Sequence, residues 1–188
     1  MKAIIVYYSY SRNNEMLAKE LRLRFSWDIL KIEEQKSRNG FTILLDLLFK
    51  RKSKIQKTDV SLSDYDVVIF VSPIWDAKIA TPLKSFIQLE KDHIKNYAFI
   101  TVCGGREGQH RMITDQLIQL IDKEPMIVTE LPVNDLLPDE QRNKIKYVTP
   151  YRTKTQDFQV FKNYIQDFAD IVFEYAAVRN EERHLMRV

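Results

Sequence analysis

Three stretches of this chain are apolar almost from end to end: Lys2–Tyr8 (KAIIVYY), Asp66–Ser72 (DVVIFVS) and Tyr97–Cys103 (YAFITVC). A strand with one face in water alternates apolar and polar side chains, whereas these runs have no polar face to offer. They read as strands covered on both sides, the kind found inside a parallel sheet. Each is followed by a polar loop and then by apolar residues at helical spacing. Met16, Leu17, Leu21 and Phe25 trace the first such face, with Ser11 or Asn13 as its N-cap. Leu83, Phe86 and Ile87 mark a second helix, which Thr81 caps and Pro82 opens. Ile113, Leu117, Leu120 and Ile121 mark a third. Trp27–Glu33 and Met126–Val133 add two strands, and the loop between the second apolar run and its helix is Pro73–Ala80 (PIWDAKIA). Phe158, Phe161, Ile165, Phe168, Val172 and Tyr175 recur at steps of three and four, giving a long last helix. Its stripe fits a core face, and it also fits a helix-mediated dimer. Strand–helix alternation of this kind predicts an α/β doubly wound parallel sheet with right-handed crossovers.

The chain's 188 residues suit one domain, 1–188. Two stretches break the alternation: an apolar patch followed by a basic run within 36–57, and a polar excursion over 134–155. The first could lie on an anionic membrane surface, or pack its apolar side on its own domain and leave its lysines in water. Lys+Arg 29 against Asp+Glu 26 gives +3, too balanced for a dedicated nucleic-acid binder. One cysteine excludes a disulfide scaffold and a cysteine-built zinc site. The three histidines lack metal-ligand spacing, so no metal site is expected. No apolar run approaches the roughly 20 residues a membrane helix needs, and the N-terminal run is too short for a secretory leader. A cytoplasmic protein is the expectation.

Ligands of open parallel sheets bind at the carboxyl ends of the strands. The three most apolar strands end in SYSRNN (Ser9–Asn14), SPIWDAK (Ser72–Lys78) and CGGREGQ (Cys103–Gln109). The first carries hydroxyls and amides into a helix N-terminus, where unpaired N–H groups and the helix dipole suit a phosphate monoester; a capped loop binding nothing has the same composition. The second sets Trp75 past a strand end, ready to stack on a planar ring or simply to pack. The third holds Gly104, Gly105 and Gly108, three of only four glycines. Such clustering points to main chain that approaches something closely or takes positive φ. Together the loops suggest a phosphorylated planar cofactor, and no GxGxxG motif marks a dinucleotide site.

These loops resemble the flavodoxin family. SYSRNN matches its phosphate loop, SPIWDAKIATPLKSFI its second flavin-contacting segment, and CGGREGQ falls where the third belongs. The resemblance runs from Met1 to about Val133. It implies a three-layer α/β/α fold with five parallel strands in the order 2-1-3-4-5, and non-covalent FMN. It would place the phosphate on Ser9, Ser11, Asn13 and Asn14. Pro73, Ile74 and Trp75 would contact one side of the ring, and Cys103, Gly104, Gly105 and Gly108 the other. Arg12 stands where the family has glycine; it would be strained if positive φ is required there, and its guanidinium would add charge towards the phosphate.

No residue qualifies as an obligatory acid, base or nucleophile. Cys103 is either a thiol beside the ligand or a core residue at a strand end, and His110 a proton donor or a helix-start surface residue. Three functions are consistent with the loops: an FMN oxidoreductase acting on a small acceptor such as a quinone, an electron carrier between redox proteins, and a flavin-free binding module. The family's soluble carriers are strongly acidic, so the charge of +3 favours the first. Its partner is then a small-molecule or protein redox partner.

Overall fold

The computed structural model describes residues 1–35 and 53–185. Of the expected amphipathic, basic stretch at 36–57, residues 36–52 lie outside the described residues, Lys50, Arg51 and Lys52 among them. Where the chain returns, an isolated antiparallel bridge joins Glu34 to Ile55, with Gln35 N–H donating to the Lys54 carbonyl at 2.9 Å.

Among the described residues seven strands form in chain order: β1 (Ala3–Tyr7), β2 (Asp28–Lys31), β3 (Val67–Val71), β4 (Ile74–Trp75), β5 (Lys78–Ile79), β6 (Tyr97–Cys103) and β7 (Val128–Pro132). Five of them build a parallel sheet in the order β2-β1-β3-β6-β7, which is 2-1-3-4-5 when only its own strands are counted. The all-apolar strands β1, β3 and β6 are buried at every residue, as an unbroken apolar run requires.

Helices cover both faces. One face presents Ile5, Ile69, Val71, Ile100 and Val102. It meets α1 (Asn13–Phe25) through Leu17 and Leu21, and α5 (Lys162–Leu185) through Ile165, Phe168 and Val172. The other presents Ile4, Val6, Val68, Phe70 and Phe99 to α2 (Thr81–Glu90) and α3 (Gln109–Ile121), which bury Leu83, Phe86, Ile113 and Leu117. The alternation within each strand divides one apolar run between two cores. The C-terminal stripe is core from Phe158 to Val172, with Phe158 itself in a 3₁₀ turn (Thr155–Gln159) ahead of the helix.

Local details depart from the sequence reading. Neither Ser11 nor Asn13 caps α1: the N-cap is Arg12, with φ 71° and no side-chain bond, and its carbonyl accepts the Met16 N–H at 2.9 Å. Thr81 does not cap α2, because the Ala80 carbonyl already accepts from Lys84 at 3.1 Å and Thr81 falls inside the first turn. The loop expected at Pro73–Ala80 is a hairpin, β4 against β5. Its turn residues Asp76 and Ala77 sit at φ 48° and 55°, the pair of left-handed residues that a two-residue hairpin matched to strand twist demands. The excursion after β7 is not shapeless: it holds two 3₁₀ turns and a short helix, α4 (Ile145–Val148). Among the described residues no helix is long and apolar enough to cross a membrane.

Candidate functional site

Tyr8 makes the last sheet bond of its strand, its N–H donating to the Val71 carbonyl at 3.0 Å. Beyond it the chain turns into α1, and the N–H groups of Ser9 through Glu15 donate to no carbonyl among the described residues. Four unpaired donors are the normal condition of a helix start; here the loop ahead of the helix adds more. Arg12 takes the left-handed conformation that explains the glycine usual at this place in the resembling family, at a strain of roughly 1–2 kcal/mol for a residue with a Cβ. Ser9 Oγ is buried and has no hydrogen-bond partner among the described residues.

The two asparagines use their side chains elsewhere. Asn14 is 1% exposed; its Nδ2 donates to the Val102 carbonyl and its Oδ1 accepts the Val102 N–H, each at 3.0 Å. Asn13 donates to the Tyr151 carbonyl at 3.1 Å and accepts the Thr153 N–H at 3.0 Å. Any phosphate at this turn is therefore left to main-chain N–H groups, hydroxyls and guanidinium, with both amides serving as struts.

In the second loop, Trp75 packs edge-on against Tyr8 and Tyr10, with ring centroids 6.1 and 6.5 Å away. Gln116 of α3 holds the hairpin: its Nε2 donates to the Ala77 carbonyl at 2.8 Å, and its Oε1 accepts the Ile79 N–H at 3.3 Å. Asp76 reaches across to Arg106 of the third loop at 2.9 Å. Both partners are about two-thirds exposed, so the pair joins the two rims without much stabilisation.

Each glycine of the third loop has its own reason. Gly105 lies at φ 73°, and a Cβ there would come within 2.7 Å of Pro132 Cβ. Gly104 packs so that a Cβ would meet Val148 Cγ1 at 3.3 Å. Gly108, at φ 71° with open space around it, is the N-cap of α3. Cys103 is buried; Gln109 Nε2 donates to its sulfur at 3.3 Å, and loss of solvation pushes the thiol up to about 12, helped by the Glu130 carboxylate. That is a neutral, unreactive thiol. His110 bonds through Nε2 with the Val128 carbonyl at 3.1 Å, on the side of β7.

A cavity of about 450 Å³ opens between the second and third loops, in the size range of small-molecule sites. Ile74, Asp76, Ala77, Gly104, Gly105 and Arg106 form one part of its wall, and Asn134, Asn143, Ile145, Val148 and Thr149 close the other. Of the residues singled out in the sequence, Ile74, Gly104 and Gly105 line it. Pro73, Trp75, Cys103 and Gly108 do not, and Ser9–Asn14 stand apart at the start of α1. The wall from the excursion was missed by motif. Asn134 holds it: its Nδ2 donates to the Gly104 carbonyl and to Asn143 Oδ1, both at 2.9 Å, and its Oδ1 accepts the Asn143 N–H at 2.9 Å. The available signal was position, since a long connection leaving the carboxyl end of the last strand falls beside the ligand crevice.

No protein-family model matches the sequence, and no curated protein matches it. Solved structures do match its fold. The flavoprotein of Lactobacillus acidophilus NCFM in complex with FMN superposes with a TM-score of 0.61 at 18% identity, over 69% of this chain and 92% of that one. The apo-form of the flavoprotein from the same organism gives 0.56 at 19%, over 76% and 95%. A flavodoxin, WrbA-like protein from Agrobacterium tumefaciens gives 0.54 at 12%, over 92% and 98%. At such identities the likeness is one of architecture: the chain has a flavodoxin-like α/β fold.

Proposed function

We propose that this flavodoxin-like chain binds FMN non-covalently and passes electrons or hydride to a small acceptor such as a quinone. The observation that carries the reading is the start of α1, where a run of N–H groups and the buried Ser9 hydroxyl have no hydrogen-bond partner among the described residues. A phosphate monoester dianion accepts what those groups offer, at the positive end of a helix. The likeness to an FMN-complexed flavoprotein supports the same ligand. When bound, FMN supplies the redox chemistry. The chain's own part is to fix the phosphate at α1, to wall the ring with Ile74, the Gly104–Gly105 main chain and the Asn134 segment, and to limit access. The cavity's volume and the near-balanced charge favour a small acceptor over a charged protein. A carrier function is the second reading, favoured by Tyr10, an aromatic side chain 47% exposed at the rim where a partner protein would dock.

Titration of the ligand-free protein with FMN, FAD and riboflavin tests the ligand. FMN should bind tightest and quench tryptophan fluorescence. Replacing Ile74, which lines the cavity where Trp75 does not, by alanine should weaken FMN binding by about 1–3 kcal/mol, the scale of a buried apolar side chain. Tighter binding of riboflavin than of FMN, or unchanged FMN affinity without the Ile74 side chain, would overturn the respective assignment. Stopped-flow oxidation of the photoreduced protein then separates the two functions. Transfer to a soluble quinone should depend weakly on salt; fast, salt-sensitive transfer to an acidic redox protein, with none to the quinone, identifies a carrier.

A further inference from the structure

Thr153 lies in the connection between α4 and α5, 140 residues along the chain from Asn13, yet its N–H donates to Asn13 Oδ1 at 3.0 Å. Asn13 Nδ2 meanwhile donates to the Tyr151 carbonyl at 3.1 Å. One side chain therefore fastens Tyr151–Thr153 to the first turn of α1, and the Thr153 main chain is satisfied there. Its hydroxyl is not. The residue is 8% exposed, and Oγ1 is buried with no hydrogen-bond partner among the described residues. Ser9 Oγ, in the loop that enters the same helix, is in the same state.

A buried hydroxyl without a partner is a net cost, and valine would fill the volume of a threonine without it. Both hydroxyls belong to segments held at the start of α1, Ser9 by the chain itself and Thr153 through Asn13, where the N–H groups of Ser9 through Glu15 donate to no carbonyl among the described residues. Of the charges nearby, the buried Asp157 carboxylate is taken up by the Lys154 N–H at 2.8 Å and the Tyr151 hydroxyl at 3.0 Å. Glu15, the acidic residue of the first turn, is neutralised by Lys19 at 2.6 Å. Arg12 and Arg152 are exposed, and neither pairs with a carboxylate among the described residues; Arg152 donates only to the Thr149 and Tyr151 carbonyls. Donors, positive charge and unsatisfied hydroxyls are what an oxyanion completes.

We infer that Thr153 is a phosphate ligand: with Ser9 and the main chain at the start of α1, it takes the terminal phosphate monoester of the bound flavin. The connection before the last helix, and not the first loop alone, then makes the site select phosphorylated flavin. This rests on the FMN reading for the molecule that bears the phosphate, and on the two hydroxyls for the site.

The test uses the full chain with Thr153→Val, which keeps shape and removes the hydroxyl, and Thr153→Ser, which restores it. Ligand-free protein is titrated with FMN and riboflavin, and its melting is followed with and without inorganic phosphate. Thr153→Val should bind FMN about 10-fold or more weakly, given the usual strength of a hydrogen bond to a charged group. Its riboflavin affinity should be unchanged, and its ligand-free form should melt no lower than wild type. Thr153→Ser should recover FMN affinity to within about 2-fold. Wild type that prefers FMN over riboflavin while Thr153→Val binds FMN equally well overturns the inference and leaves the flavin reading standing. Wild type that binds neither flavin overturns the flavin reading. The phosphate arm then decides alone: stabilisation of wild type but not of Thr153→Val supports the anion site, and equal or absent shifts overturn it.

Discussion

Asn14 offers the sharpest test of how this fold is locked to its site. The pairing of β3 with β6 ends where Val71 stands opposite Ile100. β6 continues past that point, and at Val102 its N–H and carbonyl are met by the Asn14 amide instead of by a strand, at 3.0 Å each. Replacing Asn14 by alanine leaves the buried Val102 N–H unpaired and its carbonyl with only the longer contact from the Thr101 hydroxyl, at 3.2 Å. An unpaired buried group costs about 1–3 kcal/mol. The weakened carbonyl adds to this and alanine's better helix propensity returns roughly 0.5 kcal/mol, so the net loss should be about 1–3 kcal/mol. In a chain of this size that is a fall in Tm of roughly 2–12 °C. The assay is urea unfolding of the ligand-free protein, followed by far-UV circular dichroism, with an unchanged m-value. A side chain that served only a ligand's phosphate would lose ligand affinity on truncation and leave ligand-free stability alone. Stability within about 0.5 kcal/mol of wild type, the range of ordinary surface substitutions, would therefore refute the strut. Asn14→Asp adds a signature in pH. An ionised carboxylate can accept the Val102 N–H, but it sets its second oxygen against the Val102 carbonyl; only the protonated acid can donate there. The folded-state pKa of the introduced carboxyl is thus raised. Its stabilising contribution is full below the unfolded value of about 4 and is lost as pH rises through the folded one. Asn14→Asp should be less impaired, relative to wild type, at pH 5 than at pH 8.

Two further predictions concern the third loop. Gly105→Ala forces a Cβ to 2.7 Å from the Pro132 ring in a left-handed residue and should cost about 2–4 kcal/mol, whereas Gly108→Ala, left-handed with open space, should cost about 1 kcal/mol; equal losses in urea unfolding would remove the close approach from the explanation. Cys103, its thiol pushed up to about 12 by burial, should be unreactive towards a disulfide reagent at pH 8 until the protein is unfolded. Because the folded pKa lies above the unfolded one, the thiol's contribution to stability should be intact below about pH 8.5 and fall as pH climbs towards 12; rapid native-state labelling would contradict both statements.

Much of the architecture was legible before any coordinates. A run such as VVIFV has no polar face, so it must be covered on both sides, and strands of that kind separated by helical stripes leave few arrangements other than a parallel doubly wound sheet. The glycine cluster likewise announced close approach and positive φ, and both are present in the third loop. What stayed hidden was the direction in which polar side chains face. Asparagine at a helix start is equally suited to capping, to binding an anion and to pairing with main chain. Which of these occurs depends on partners 88 and 140 residues away: the overhang of β6 at Val102 and the segment Tyr151–Thr153. Trp75 was recognisable as an aromatic at a strand end, but Asp76-Ala77 carries no local sign of a tight hairpin, and the hairpin decides that Ile74 and not Trp75 lines the cavity. The cavity's far wall and the buried Thr153 hydroxyl had no motif at all. Periodicity and composition act through neighbours along the chain, and so they determine which elements form and which faces they bury. A binding site is assembled from chain ends and connections that are close only in space, so tertiary packing alone decides which donors and hydroxyls are left for a ligand.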